Sequence, residues 1–147
     1  MLLKYPHEIL QTKATDFMFP DDMKYVHELV ESATTGFGWG NLLGLAAPQI
    51  GIPKKLFIAQ GKIYINPEII EKSEMTSYHH EGCYSLEENK FDYKTMRHDA
   101  IKLKWQDTDQ NWHEQICNGI AARIIQHEQD HLEGKLCCDY STDFTDK

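Results

Sequence analysis

The sequence predicts an α+β domain, with antiparallel sheets around a central helix. Apolar residues recur at steps of three and four in two stretches, one near residues 23–33 and one near 120–131. Between them lie short alternating or apolar runs closed by turn residues, which read as hairpins and not as regular βαβ units. No repeat, low-complexity tract or long linker interrupts the 147 residues, so a single domain over 1–147 with one core is expected.

Taken in order, "PDDMKYVHELVESATTG" reads as the first helix. Met23, Val26, Leu29, Val30 and Ala33 share one face, Asp21 or Asp22 can cap the start, and Gly36 follows the end. "TGFGWGN" is a glycine-rich loop. "GLAAPQIG", Gly44 to Gly51, is small, apolar or turn-forming except for the amide of Gln49. "KKLFIAQ" and "KIYINPEI" read as strands joined by a tight turn at Gln60-Gly61. "IKLKWQ" alternates, and "DTDQN" turns the chain into "WHEQI", a second hairpin. The last long helix is "NGIAARIIQHEQDHLEG". It puts Ile120, Ile124, His127 and His131 on one face, with Asn118 as N-cap and Gly134 as C′ residue.

A net charge of −8 argues against a nucleic-acid partner, which needs a basic face. No apolar run approaches the roughly 20 residues that span a bilayer, so no membrane partner is expected. "MLLKYPHEIL" does not have the form of a secretory signal. The four cysteines, Cys83, Cys117, Cys137 and Cys138, suggest no disulfide framework, and a reducing cytoplasmic compartment fits.

His127-Glu128-Gln129-Asp130-His131 is an H-E-x-x-H motif on the expected helix. Its histidines lie one turn apart, so both imidazoles can reach one metal ion, and Glu128 lies beside them to act on the attacking water. The plain alternative is a surface helix that happens to carry two histidines. Catalytic sites of this type take a third protein ligand. The best candidate is Cys83 in "HHEGCYSLEE", in a segment that can run as a strand edge; a buried structural thiol is the competing reading. Gln49 needs partners if buried: a neighbouring loop, or a group that arrives during a reaction.

Together "LLGLAAPQIG", "EGCYS" and "QHEQDHLEG" are similar, in order and spacing, to the three signature motifs of the peptide deformylases. "INPEI" and "GKLCCDY" match as well, and the resemblance runs from about Tyr5 to Tyr140. It implies a hydrolase that removes the formyl group from N-terminal formyl-methionine of new polypeptides and releases formate. It implies one divalent metal ion, Fe2+ as the native one with Zn2+, Ni2+ or Co2+ as alternatives, on Cys83, His127 and His131. Glu128 would be the acid/base, and Gln49 and the backbone N–H of Tyr84 the oxyanion donors. Leu43, Gly44, Ile120, Arg123 and Ile124 would bind substrate. Glu81 would pair with Arg97 to fix the strand of Cys83, unless both are simply solvated. The substrates implied are N-formylmethionyl peptides in a bacterial cytoplasm, or in a host cytoplasm if the gene is a phage's. The alternatives are a zincin-like metallopeptidase and a catalytically decayed metal-binding homologue.

Leu42 stands where the family has glycine, and Tyr84 where leucine is common. Arg123 and His79 stand at positions that are usually apolar in the methionine pocket. Arg123 can line that pocket, with its guanidinium reaching water or substrate backbone, or rotate out. Many bacterial members continue beyond the motif helix into a further helix that helps ribosome docking. This chain ends soon after Gly134, like some phage-encoded members, which leaves such docking doubtful.

Overall fold

The computed structural model describes residues 2–37, 43–83, 85 and 93–140. Helix α1 spans Met23–Phe37, α2 Gly119–Leu132 and the short α3 Cys137–Tyr140. Strands β1 (Gly44–Ala46), β2 (Leu56–Ala59), β3 (Lys62–Lys72), β6 (Ala100–Gln106) and β7 (Trp112–Asn118) form one antiparallel sheet in the order β1-β2-β3-β6-β7. Strands β4 (Thr76–Glu81) and β5 (Tyr93–His98) form a separate antiparallel pair. The α+β expectation holds. The β4–β5 pair is new beyond the strand edge foreseen beside Cys83.

Both expected hairpins are present. Gln60 (φ 48°) and Gly61 (φ 78°) are both left-handed, as a two-residue turn between twisted strands requires. In the second hairpin the Asp107 carboxylate accepts from the N–H groups of Asp109 at 2.8 Å and Asn111 at 3.0 Å. β3 is not the plain strand that "KIYINPEI" suggests. Its register against β6 slips between Ile65 and Glu68, and Asn66 sits at φ 50°. The Asn66 side chain offsets the lost ladder bonds. It accepts from Phe17 N–H at 2.8 Å and donates to Phe17 O at 3.1 Å and Gln106 Oε1 at 2.8 Å.

β1 and β2 are buried on both faces, which explains why they read as apolar runs and not as alternations. One face, with Leu45, Leu56, Ile58 and Ile65, packs under Val26, Leu29 and Ala33 of α1. The other, with Ala46, Phe57, Ala59 and Tyr64, packs under Ala122, Ile124, Ile125 and Leu132 of α2. Beyond α2 lies the β4–β5 pair, tied to it by the Gln126 amide. That amide accepts from His98 N–H at 3.0 Å and donates to His98 O at 2.9 Å.

The helix ends depart from expectation. Gly36 lies inside α1. The Asp22 carboxylate turns back to the Met18 N–H at 2.8 Å and to Lys54 at 3.1 Å. Asn118 takes the extended N-cap backbone, but its side chain makes no capping bond, because the residue still belongs to β7. The "TGFGWGN" loop falls largely outside the described residues. Gly134 does close α2: at φ 79° its N–H bonds His131 O at 3.2 Å, and Lys135 N–H bonds Asp130 O at 2.9 Å, the paired bonds of a Schellman turn.

The N-terminal segment crosses all three motif regions. Leu3 N–H donates to Gln49 O at 2.7 Å, Tyr5 N–H to Ser85 O at 2.7 Å, and Ala14 N–H to Leu132 O at 2.8 Å. Gly134 supports this crossing, since a Cβ there would stand 2.9 Å from the Gln11 carbonyl. Gly134→Ala therefore combines a left-handed backbone with a backbone clash. It is expected to cost at least about 2 kcal/mol and to lower Tm by roughly 4 °C or more, read by calorimetry.

Candidate active site

α2 carries the H-E-x-x-H residues, and its i, i+4 spacing sets the His127 and His131 rings edge to face at 5.2 Å. Cys83 directly follows β4 and is buried. The Cys83 Sγ lies 3.2 Å from His131 Nε2, and one donor atom each from Cys83, His127 and His131 falls within 4.8 Å of the others. His127 gives its Nδ1 to Glu81 Oε1 at 2.8 Å, which leaves Nε2 for the group. The set fits a metal ion. A tetrahedral S/N site with ordinary bond lengths has a sulfur-to-nitrogen edge of roughly 3.5 Å. A carboxylate on the far nitrogen of a histidine is the usual outer support of a metal ligand.

Above these residues opens a cavity of about 360 Å³. Leu43 and Gly44 line it on one side and Ile120, Arg123 and Ile124 of α2 on another, with Leu43 and Ile120 as exposed apolar residues. Gln49, Cys83, His127 and Glu128 also line it, as do His79 and His80 of β4. Glu128 is 4% exposed, and its buried Oε1 has no hydrogen-bond partner among the described residues. Burial pushes its carboxyl up to about 7, against the pull of the neighbouring His127. The carboxylate packs on the bare Cα of Gly44, where a Cβ would overlap it. Burial also works against charge on His131, which His127 and Arg97 lower further; a neutral imidazole is the form that ligates.

Gln49 lies in a 3-10 turn, Ala47–Ile50, and is 2% exposed. Its Oε1 accepts from Ala46 N–H at 2.9 Å, which fixes the amide's orientation. Its Nε2 faces Cys83 Sγ at 3.4 Å and Ser85 Oγ at 3.2 Å. The turn thus satisfies the oxygen of the amide and leaves its nitrogen on the cavity side. Tyr84 and Leu42 lie outside the described residues.

Glu81 and Arg97 are not solvated charges. Arg97 donates to Glu81 Oε1 at 2.7 Å and Oε2 at 3.2 Å, and pairs with Asp130 of the H-E-x-x-H motif. Thr95 Oγ1 donates to Glu81 Oε2 at 2.5 Å. Although burial opposes ionisation, the His127 and Arg97 contacts hold Glu81 well below the usual carboxylate range. Arg123 lines the cavity, but its guanidinium turns into the protein. It donates to Ser77 O at 3.2 Å, to Thr95 O and Oγ1 at 3.3 Å, and to Glu81 Oε2 at 3.4 Å. Neither expected place for that group, on water and substrate backbone or rotated out, holds, because acceptors on β4 and β5 compete more strongly. Thr95, Ser85 and Asp130 were missed as site-supporting residues. Two of them had a signal, since Ser85 and Asp130 stand inside quoted motifs.

The polypeptide deformylase family model matches residues 1–147. Peptide deformylase 1 of Clostridium perfringens is 39% identical over 140 residues, covering 90% of this chain and 91% of that protein. The peptide deformylase of Rickettsia prowazekii is 34% identical over 151 residues, 92% of this chain and 83% of that one. The crystal structure of peptide deformylase from Thermotoga maritima superposes with a TM-score of 0.85 at 32% identity, over 97% of each chain. Plasmodium falciparum peptide deformylase in complex with inhibitor gives 0.85 at 32%, over 97% of this chain and 90% of that one. The chain belongs to the polypeptide deformylase family, metal-dependent amide hydrolases that remove the formyl group from N-terminal methionine. That membership prevails over the zincin-like alternative. Among the described residues no helix is long and apolar enough to cross a membrane.

Glu81→Gln keeps the shape of the support and removes its charge. The variant is expected to bind metal 10- to 100-fold more weakly, read by competition with a chelating dye. It should also be less stable by about 3 kcal/mol, because two guanidinium groups lose their shared anion.

Proposed function

We propose that the cavity is the deformylation site and that Cys83, His127 and His131 hold its ion. The observation that carries this is the convergence of one sulfur and two ring nitrogens within 4.8 Å, beside a cavity that Glu128 and Gln49 also line. A divalent ion there supplies Lewis acidity toward the formyl group and the attacking water. The mixed sulfur and nitrogen donors suit Fe2+, which we assign as the resident ion, and also accept Zn2+, Ni2+ or Co2+.

Glu128 is the proton carrier. Its partnerless oxygen and its carboxyl near neutrality let it take a proton from the attacking water and return it to the leaving amine. Gln49 donates an N–H to the oxyanion, with its amide already fixed from the oxygen side by Ala46. The backbone N–H of Tyr84 is the second donor by its place next to Cys83. The substrates are N-formylmethionyl peptides of newly made chains in the cytoplasm. Their first side chain lies against Leu43, Ile120, Ile124 and the methylene stem of Arg123.

Formate release from formyl-Met-Ala, by protein loaded with iron, nickel or zinc, tests the reading. Turnover is expected. Glu128→Ala should keep its metal and lose 10²–10⁴-fold in kcat. Cys83→Ala should lose most of its metal by elemental analysis. Fully metallated wild type without formate release would refute the activity, and full occupancy in Cys83→Ala would remove Cys83 from the site.

Arg123 gives a sharper test of the pocket. Its stem is the part offered to substrate, so Arg123→Met should leave the formyl-Met to formyl-Ala ratio of kcat/KM within about 3-fold. Arg123→Ala, which removes methylene contacts, should lower that ratio by about 10-fold or more. Equal ratios in both variants would place Arg123 outside the pocket.

A further inference from the structure

The Gln49 amide is held at three points, one of them Ser85. The Ala46 N–H holds the amide oxygen at 2.9 Å. The Ser85 hydroxyl oxygen accepts one amide N–H at 3.2 Å, and Cys83 Sγ lies 3.4 Å from the same nitrogen. Ser85 also donates its own backbone N–H toward Cys83 Sγ at 3.5 Å. The residue is fully buried, and its carbonyl is anchored by Tyr5 N–H at 2.7 Å. A serine so fixed is a rigid reference for whatever its hydroxyl touches.

The amide has only one remaining freedom. With its oxygen pinned at Ala46, it can still rock about that bond. Without Ser85, the nitrogen keeps one described acceptor within reach, the sulfur at 3.4 Å. A neutral hydroxyl is a suitable resting partner. It satisfies a buried donor that would otherwise be costly, and it is a weaker acceptor than an anionic oxygen, so it yields the N–H when negative charge develops nearby.

We propose that Ser85 is a positioning residue for Gln49, its hydroxyl holding the amide between Cys83 and the cavity in the orientation from which it serves the oxyanion. The proposal rests on the deformylase reading of the cavity. Ser85 touches no reacting atom and acts through Gln49. Its loss therefore belongs to the chemical step and not to substrate binding.

Ser85→Ala, Gln49→Leu and the double variant test this in zinc- or nickel-loaded protein with formyl-Met-Ala. Ser85→Ala is expected to keep one metal per chain, hold KM within about 2-fold and lose about 10-fold in kcat, a fraction of what removal of an oxyanion donor costs. The double variant should be no slower than Gln49→Leu alone, because a holder without its amide has nothing to hold. Unchanged kcat in Ser85→Ala, or a further 10-fold loss in the double variant, would overturn the proposal. A second readout needs no turnover. In ¹⁵N-labelled metal-free protein the Gln49 side-chain amide signal, identified by its loss in Gln49→Leu, should move in Ser85→Ala. An unmoved signal would also overturn it. Wild type that releases no formate would refute the deformylase reading itself and leave the amide measurement to judge the contact alone.

Discussion

The carboxylate of Glu81 is the contact on which the site's geometry depends. It stands at the end of β4, accepts from Thr95 and Arg97 of β5, and receives His127 and Arg123 from α2. Taking a charge out of water costs several kcal/mol unless its partners are well placed. Here Glu81 and Asp130 face Arg97 and Arg123, two anions against two cations, and the His127 ring joins them at Glu81. It joins the strand that delivers Cys83 to the helix that delivers both histidines. Among the described residues the two apolar clusters of the main sheet include none of β4 or β5; Tyr93 of β5 packs instead on a small third cluster with Leu10, Leu136 and Cys137.

The rest of the site is held from the opposite side, by the sheet. Ala46 fixes the oxygen of Gln49, and Gly44 offers the bare backbone against which Glu128 packs. The small residues of the first motif are thus the thickness limit of the wall: α2 approaches β1 closely because β1 offers it nothing larger than the methyl of Ala46. A carboxylate enclosed there loses water, and the upward shift of its pKa follows from that enclosure.

The sequence exposed those parts of the molecule that repeat or cluster locally. Two helices, two hairpins and the α+β class follow from periodicity and turn residues, and the H-E-x-x-H spacing places two ring nitrogens together without tertiary knowledge. The β4–β5 pair was not legible. "TSYHHE" and "YKTMRH" are polar because one face meets charges instead of an apolar core, so the usual alternation signal is absent. The destination of Arg123 was equally hidden. Its acceptors, Ser77 and Thr95, lie 46 and 28 residues away, and nothing local reveals such a pairing. Gly36 misled because a glycine near a helix end usually terminates it, whereas α1 runs one residue further. Asp22 misled because a lysine across the fold, Lys54, outbid the helix end.

The three backbone bonds from Leu3, Tyr5 and Ala14 couple the order of synthesis to competence. These donors are made first, and their acceptors, at Gln49, Ser85 and Leu132, are made progressively later. The Ala14–Leu132 bond closes a loop over most of the chain, a contact of high sequence separation whose closure entropy falls due only at the end. A growing chain can form the inner strands and α1 while α2 is still missing. It cannot complete the cavity, because the helix that carries His127, Glu128 and His131 is also the partner of Ala14. The cavity is therefore closed only once α2 has joined the sheet.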